Sequence, residues 1–548
     1  MEDIEDTVYE QGIQYKKEYE PYIFDLIKYT GDENWKLFQR KILKKYKFKT
    51  MPKGIEVSRV YKDLLRNNKI QKNGALESKI ATKKSLGQSG VMVVTIATNA
   101  NAMSCNFRCT YCPEEPGMPK SYLSSEPVLE KAAKVNFDVV KQFYRRGTVL
   151  YHTTQCFTKL EILVLGGTWS CYPHDYQEEF VRDIYYAANV FYDMFDNKSV
   201  REKMDLEQEK IFNETAECRI ISLTFETRCD MITPDEIKRL RHFGCTRVQI
   251  GIQHLERDIL DGVNRPCYYE DTVRGIKLLK DNGYKIDGHL MIALPNSTPE
   301  KDIELFRRMY SDPDLLVDQL KIYPCQIVPY TEIKKMYDDK IYIPYPESEQ
   351  KQVIKYALEH CLPTIRVNRI IRDFPLSDVT GGMKTGEMRQ IVQDELEAQG
   401  IFCKDIRARE VKSKVFDVND VELVTRKYFS SGGLEFFLSH ESRDRKTLYS
   451  LLRLRVNSIH NECVYPELNN VIFVRELHVF GKMLGVGQDA NCETQHRGLG
   501  TELLAETERI CKEMNYHAIA IISGIGVMQY YMKLGYKKNV GDYMIKYI

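Results

Sequence analysis

"SCNFRCTYCPEEP", residues 104–116, places Cys105, Cys109 and Cys112 at C-x3-C-x2-C spacing, shortly after the apolar run VMVVTIA at 91–97. A structural zinc ion normally closes its shell with four ligands, often two C-x2-C pairs. Here the next cysteine is Cys156, so no partner pair is near. Three thiolates on a [4Fe–4S] cubane leave one iron without a protein ligand, open to a small molecule. A loop that follows a strand lies at the C-terminal mouth of an α/β sheet, where such folds keep their chemistry.

Outward from this loop, short β-rich runs alternate with helical patterns. Strands are expected at 91–97, 161–165, 219–225, 247–251, 286–292 and 319–323, with helices near 126–145, 176–194, 234–243, 270–282 and 299–310. Thr233-Pro234 and Thr298-Pro299 each read as an N-cap followed by an N1 proline. Strict β-then-α order implies parallel strands with helical crossovers. Six such units predict an open, partial (βα)6 barrel. The alternation stops near residue 395. After a charged stretch, "LLRLRV" at 451–456 and "VIFVRELHVFG" at 471–481 read as antiparallel strands of a separate α+β domain. The expected organisation is a basic N-terminal region at 1–85, the partial barrel at 86–395, a linker at 396–424 and the α+β domain at 425–548.

Composition is that of an ordinary globular chain: 548 residues, 43% apolar and 29% charged. No run of about 18 apolar residues occurs, so no membrane span is expected. An odd count of 15 scattered cysteines fits reduced thiols in the cytoplasm or nucleus rather than a disulfide scaffold. Charge is unevenly spread. Residues 1–34 hold ten Asp/Glu against three Lys/Arg, whereas 36–84 hold sixteen Lys/Arg against three Asp/Glu. In "WKLFQRKILKKYKFK" basic residues interleave with Trp35, Phe38, Tyr46 and Phe48, which suits a nucleic-acid backbone and unstacked bases. The alternative is an amphipathic helix with Leu37, Ile42 and Leu43 inward.

The cysteine motif, with Tyr111 before its last cysteine, resembles the radical S-adenosylmethionine (SAM) superfamily. That resemblance implies a cluster on Cys105, Cys109 and Cys112, and SAM held by polar residues at strand ends: Gly166, Gly167 and Thr168 in "LVLGGT", Glu226 and Arg228 in "FETR", Gln253 in "IGIQ" and His289 in "HLMIALPN". "TQHRGLGTELL" carries Q-x-x-G-x-G before a helix, with Gln495, Gly498 and Gly500. Consecutive free N–H groups at a helix start suit a pyrophosphate. With "YYMKLGY" downstream, it resembles the GCN5-related N-acetyltransferases (GNAT). Together, "KLEILVLGGT", "GCTRVQIGIQ", "LKIYP", "IRDFPL" and "VRELHVFG" resemble the family of Elongator's catalytic third subunit, from about residue 80 onward. This family resemblance implies 5-carboxymethyluridine formation at tRNA position 34 from acetyl-CoA and a SAM-derived radical. It implies that Lys159, Glu476, Leu477, His478, Val479, Leu499, Gly500, Thr501 and Tyr531 hold acetyl-CoA, with Lys159, Tyr530 and Tyr531 catalytic. The implied partners are tRNA, an electron donor, and other Elongator subunits or a second copy of the chain. A lysine acetyltransferase with a structural iron–sulfur cluster is the competing reading. This sequence departs from the family at Glu114 and Glu115, where glycines are usual, and at Cys229, where proline is usual.

Overall fold

The computed structural model describes residues 16–48, 52–80, 90–102, 105–154, 157–411, 418–481 and 498–548. Gln495 of the glycine motif lies outside them.

The first sheet is all parallel, in the order β1 to β7: Val91–Ala97, Lys159–Leu165, Arg219–Arg228, Arg247–Gln253, Lys285–Ile292, Gln319–Pro324 and Arg366–Ile370. All six expected strands are present. The seventh corrects the expected (βα)6 count. Its sequence RVNRI is too charged to read as a buried strand. Val367 and Ile370 are buried, while Arg366 and Asn368 line the concave face. That alternation recurs along the sheet. On β5, Ile286, Leu290 and Ile292 are buried, and Lys285, Asp287 and His289 line the lumen. The lumen of this open barrel is therefore polar.

Helices pack on the outer face. Thr233 and Thr298 accept from the N–H of Glu236 (3.2 Å) and Lys301 (3.3 Å), as expected of N-caps. The single helix expected near 126–145 is two, Pro127–Ala133 and Val139–Thr154.

The second sheet has the order β13-β14-β12-β11-β10-β9-β8, from Val421–Ser430 (β8), Gly433–Ser442 (β9), Leu448–Val456 (β10), Ile472–Val479 (β11), Ala518–Ile521 (β12), Lys537–Lys538 (β13) and Met544–Tyr547 (β14). β10 and β11 are antiparallel, as expected, but β11 and β12 are parallel. The described part of the expected linker 396–424 packs on the barrel. Cys403, Asp405 and Ile406 are buried, and Asp405 pairs with Arg389 at 2.8 Å.

The second sheet closes the N-terminal mouth of the barrel. The turn Gly524–Val527 presses on β3 so closely that a Cβ at Gly524 would stand 2.0 Å from the Ile221 carbonyl oxygen. A buried ion lattice joins the two parts. Asp318 at the barrel's edge meets Arg475 at 2.5 Å and Arg453 at 3.4 Å. Lys280 and Arg475 flank Glu435 at 3.1 and 2.9 Å, and Arg455 meets Asp281 at 2.5 Å. Burial opposes ionisation of Glu435, but Arg475, Lys280 and Arg455 outweigh it and hold the carboxyl below its usual range.

Residues 17–48 and 52–80 form a helical module with its own core, including Tyr19, Tyr22, Tyr29, Phe38, Ile42 and Tyr61. The aromatic residues of the basic block serve this core. Trp35 and Phe38 pack on Tyr29 (5.2 and 5.3 Å), and Tyr46 and Phe48 on Tyr22 (both 5.6 Å). This corrects their reading as a stacking platform. Positions 35, 38, 42 and 46 form one stripe of the helix Trp35–Tyr46, with Asn34 as its N-cap. Leu37 is off that stripe and 65% exposed.

Candidate active site

The cysteine loop crosses the C-terminal mouth of the barrel. It is tied to the segments after β4 and β6: Thr110 N–H donates to Val263 O (3.0 Å), Glu114 N–H to Tyr330 O (2.9 Å), and Asn264 Nδ2 to Arg108 O (2.8 Å). Beneath it is a cavity of about 450 Å3, lined by Cys105, Cys109, Cys112, Gly167, Thr168, Glu226, Arg228, Gln253 and His289 among others. The residues expected at the ends of β2 to β5 thus converge with the three thiols. Gly166 is the exception, enclosed against Thr98 and Tyr172.

Cations surround the sulfurs. Arg228 Nη1 and Arg265 Nη1 both point at Cys109 Sγ, at 3.8 and 3.7 Å. Lys120 donates to the Phe107 carbonyl and pairs with Glu114 at 2.6 Å. A hydrogen bond from Cys171, assisted by the Phe107 backbone and Lys120, lowers the Cys105 thiol to about 6. Burial pushes Cys112 up to about 12. Arg228, expected on SAM, lines the cavity and is forked onto Asp230 (2.9 and 2.7 Å) behind Cys109. Glu226 Oε1 accepts from the N–H of Gly167 (2.9 Å) and Gly166 (3.3 Å) and from Tyr122 OH (2.5 Å), so it braces the glycine turn. Arg265 was not legible in the sequence. Its one signal is its place shortly after a strand end.

The donor set fits a cluster and its ligand. Three thiols face guanidinium and ammonium groups that would offset thiolate charge. Among the described residues, Gln253 Oε1, Gln326 Oε1, His289 Nε2 and Arg265 Nε are buried without hydrogen-bond partners. All four side chains line this cavity, and buried polar atoms of this kind require partners. Burial, with Lys321, Arg372, Arg369 and Arg265 nearby, keeps His289 neutral. Among the described residues no three His, Cys, Asp or Glu side chains crowd closely enough to chelate one metal ion. A cubane's thiolates attach at separate iron corners and need not converge on a point.

A second cavity, of about 870 Å3, occupies the lumen between the concave faces and the second sheet. Leu477, His478 and Tyr531 line it. β11 pairs with β12 only through Ile472–Val474. Opposite β10 a bulge follows at Arg475. The strands then part, and Glu476–His478 face the opening. Glu476 is engaged by Lys285 and, at 2.8 Å, by Arg453. Gly498, at φ +78°, starts the 15-residue helix Leu499–Glu513. A Cβ at Gly500 would lie 3.5 Å from Val479 and 3.6 Å from Tyr530 OH, so the glycine motif, β11 and the tyrosine pair are neighbours. Burial raises Tyr531 above the usual phenol range, while Tyr530 is 42% exposed. Lys159 begins β2 at the sheet's N-terminal edge and lines neither cavity.

Residues 103–309 match the Radical SAM superfamily and residues 317–398 the Radical_SAM C-terminal domain. The tRNA uridine(34) acetyltransferase of Methanocaldococcus jannaschii is 35% identical over 477 residues, covering 84% of this chain and 85% of that protein. The chain belongs to the tRNA uridine(34) acetyltransferase/Elongator complex protein 3 family. Elongator complex protein 3 of Saccharomyces cerevisiae is 31% identical over 527 residues, covering 93% of this chain and 91% of its own. The solved archaeal Methanocaldococcus infernus Elp3, lacking its first 46 residues, superposes with a TM-score of 0.72 at 33% identity. It covers 84% of this chain and 100% of that one. As a radical SAM member of this family, the chain is an acyltransferase-type enzyme that uses SAM and a [4Fe–4S] cluster.

Proposed function

We propose that this enzyme builds 5-carboxymethyluridine at position 34 of tRNA, drawing the two-carbon unit from acetyl-CoA. The observation that carries this reading is the meeting of two cavities inside one barrel. The cavity under the cysteines and the cavity reaching Tyr531 share Leu163, Lys321, Arg369 and Asp373 as wall residues. A group held at the second sheet would thus face the cysteine side across these four side chains, inside the barrel. A lysine acetyltransferase has no use for such an arrangement.

Cys105, Cys109 and Cys112 would hold the cluster, and Gly167, Thr168, Gln253 and His289 would hold SAM. When bound, these groups supply a one-electron route to a carbon radical at neutral pH. The chain's residues do the positioning. Arg228 and Arg265 fix Cys109. Neutral His289 offers a polar atom without adding charge. The buried walls keep water from a reactive intermediate. The net change joins the acetyl methyl carbon to uracil C5. One hydrogen of the methyl would end on the 5′-deoxyadenosine that SAM yields together with methionine, and the hydrogen of C5 would leave as a proton, its electron replacing the one that SAM's cleavage consumed, so that SAM is the net two-electron oxidant. Water then cleaves the thioester, leaving a carboxylate and the CoA thiol. The helix start at Leu499–Thr501 would meet the CoA pyrophosphate, with Glu476–Val479 and Tyr531 along its arm and Tyr530 at the rim. Exposed Lys36, Arg40, Lys41 and Lys44 on the helix Trp35–Tyr46, and Lys47 just past its end, would meet tRNA phosphates.

The test is anaerobic reconstitution with tRNA, acetyl-CoA, SAM and dithionite, followed by nucleoside mass spectrometry. Carboxymethyluridine is expected with the native chain and is absent with Cys109→Ala. Acetyl transfer to lysine that survives Cys109→Ala, with no modified uridine, would overturn the reading.

A further inference from the structure

The neck between the two cavities is unusual in its charge. Several cations face the lumen. Arg247 is paired with Glu161, Lys285 with Glu476, Arg366 with Glu410 and Arg369 with Asp373. Lys321, on β6, is treated differently. Its Nζ donates to the neutral amide oxygen of Gln249 on β4 at 2.7 Å. Among the described residues no carboxylate lies within ion-pair distance of it. An ammonium carries three N–H donors, so two remain after Gln249 is satisfied. Lys321 sits in register with His289 on β5 and is half-buried. It is one of the four residues that wall both cavities, and the hydrocarbon of Leu163 on β2 is another.

We infer that Lys321 is a positioning and specificity residue that receives the carbonyl oxygen of the acyl group at this neck. The inference rests on the carboxymethylation reading above and assigns a residue to its acyl group. Two free donors on a half-buried cation suit an acceptor that arrives with the substrate. They suit it better as negative charge builds on that oxygen, because charge-assisted hydrogen bonds are the stronger ones. When water adds to the thioester carbonyl carbon, the oxygen becomes an oxyanion. The C–S bond then breaks, the CoA sulfur takes one proton, and the acid releases another. Lys321 faces the oxyanion and then the carboxylate. A paired lysine would have to break its ion pair to do so, and the amide of Gln249 removes that cost. A carbonyl oxygen held on Lys321 places the adjoining methyl within the neck, where Leu163 offers an apolar wall and the cysteine cavity begins.

The test compares two non-reacting probes on the full-length chain. One is an acetyl-CoA analogue whose thioester sulfur is replaced by NH, which keeps the carbonyl. The other is S-ethyl-CoA, which lacks it. Calorimetry is run on the native chain, Lys321→Met and Lys321→Arg. Lys321→Met is expected to weaken the amide analogue by about 10- to 100-fold, the range of a hydrogen bond to a charged group. S-ethyl-CoA should be unchanged, and Lys321→Arg should restore part of the loss. Equal weakening of both probes would mean that Lys321 acts on the CoA phosphates through the general field, and overturns the inference. No weakening of either overturns it as well. Lys321→Met must also retain the native unfolding transition; if it does not, the Lys321→Arg comparison decides by the same criteria. Should the native chain bind neither probe, the carboxymethylation reading falls and takes this inference with it. Native binding and native product without the selective loss sink the inference alone.

Discussion

Lowering the pH from 7 to 5 should loosen the N-terminal helical module, and His152 sets the size of the effect. The imidazole lies under the module's helix Gly54–Arg66, 1% exposed, with both ring nitrogens lacking hydrogen-bond partners among the described residues. Burial, then Lys62, Arg59 and Arg66, push it down to about 2 from an ordinary 6.5. Tyr151 and Phe195 enclose the ring, at 5.6 Å each, and the nearby carboxylates are committed elsewhere: Asp196 to Arg66 at 2.9 Å and Asp63 to Arg59 at 3.5 Å. The folded pKa is the lower one, so the unfolded chain binds the extra proton. Stability is therefore complete above pH 6.5 and falls as the pH drops toward 2. At pH 5 the gap of 1.5 units is worth about 2 kcal/mol, at about 1.4 kcal/mol per unit. Docking of the module is the local equilibrium that carries the loss. It rests on Ser58 Oγ donating to His152 O at 2.6 Å, and on Lys62 over the Tyr151 ring at 3.6 Å. The assay is urea denaturation, with limited proteolysis of the module, at pH 7 and pH 5. The native chain should lose about 2 kcal/mol between them. His152→Phe should lose markedly less. Equal losses in the two proteins would refute the reasoning.

Arg475→Met should destabilise the chain by about 3–5 kcal/mol, since it leaves Asp318 and Glu435 buried with too few cations; chemical denaturation measures this. Gly524→Ala should cost about 1–3 kcal/mol by overpacking against the Ile221 backbone, read as a lower unfolding midpoint. Arg265→Met should shift the cluster's reduction potential to more negative values in an EPR-monitored titration, because a cationic N–H donor to Cys109 sulfur is lost. Tyr531→Phe tests whether the phenol OH or the ring matters. If the OH is used, acetyl-CoA hydrolysis should fall by about 10²-fold or more, with CoA affinity held.

The barrel was largely legible because its strands bury one face fully. Runs such as VMVVTIA, EILVL and HLMI need little context, and Thr-Pro caps mark the helices between them. The seventh strand was not legible because a lumen-lining strand looks like a surface loop. Arg366, Asn368 and Arg369 face an internal space whose existence depends on the whole sheet. The positions at the strand ends were legible, but the contacts that Glu226 makes with the glycine turn and Arg228 with Cys109 were not, because they depend on neighbours brought in by the fold. The ion lattice was invisible for a similar reason. Lys280, Asp318, Glu435 and Arg475 are ordinary charges until the fold brings together residues more than a hundred positions apart. Trp35, Phe38, Tyr46 and Phe48 show the opposite error. Aromatic residues among lysines suggested an open face, but Trp35, Phe38 and Tyr46 fall on one helical stripe, and Phe48, just past the helix, packs on Tyr22, so all four join a core.

The ion lattice at the barrel's sealed end has a consequence for traffic. A joint made of buried charges resists parting, since each ion would be stranded without its counterion. The enzyme therefore behaves as a rigid pipe rather than a hinged jaw. On the carboxymethylation proposal, a nucleobase arriving over the cysteine loop would have to come in singly and swung out of its stack, while the acyl carrier would enter from the side of the second sheet. The two reactants would then meet head to head, and neither could pass the other.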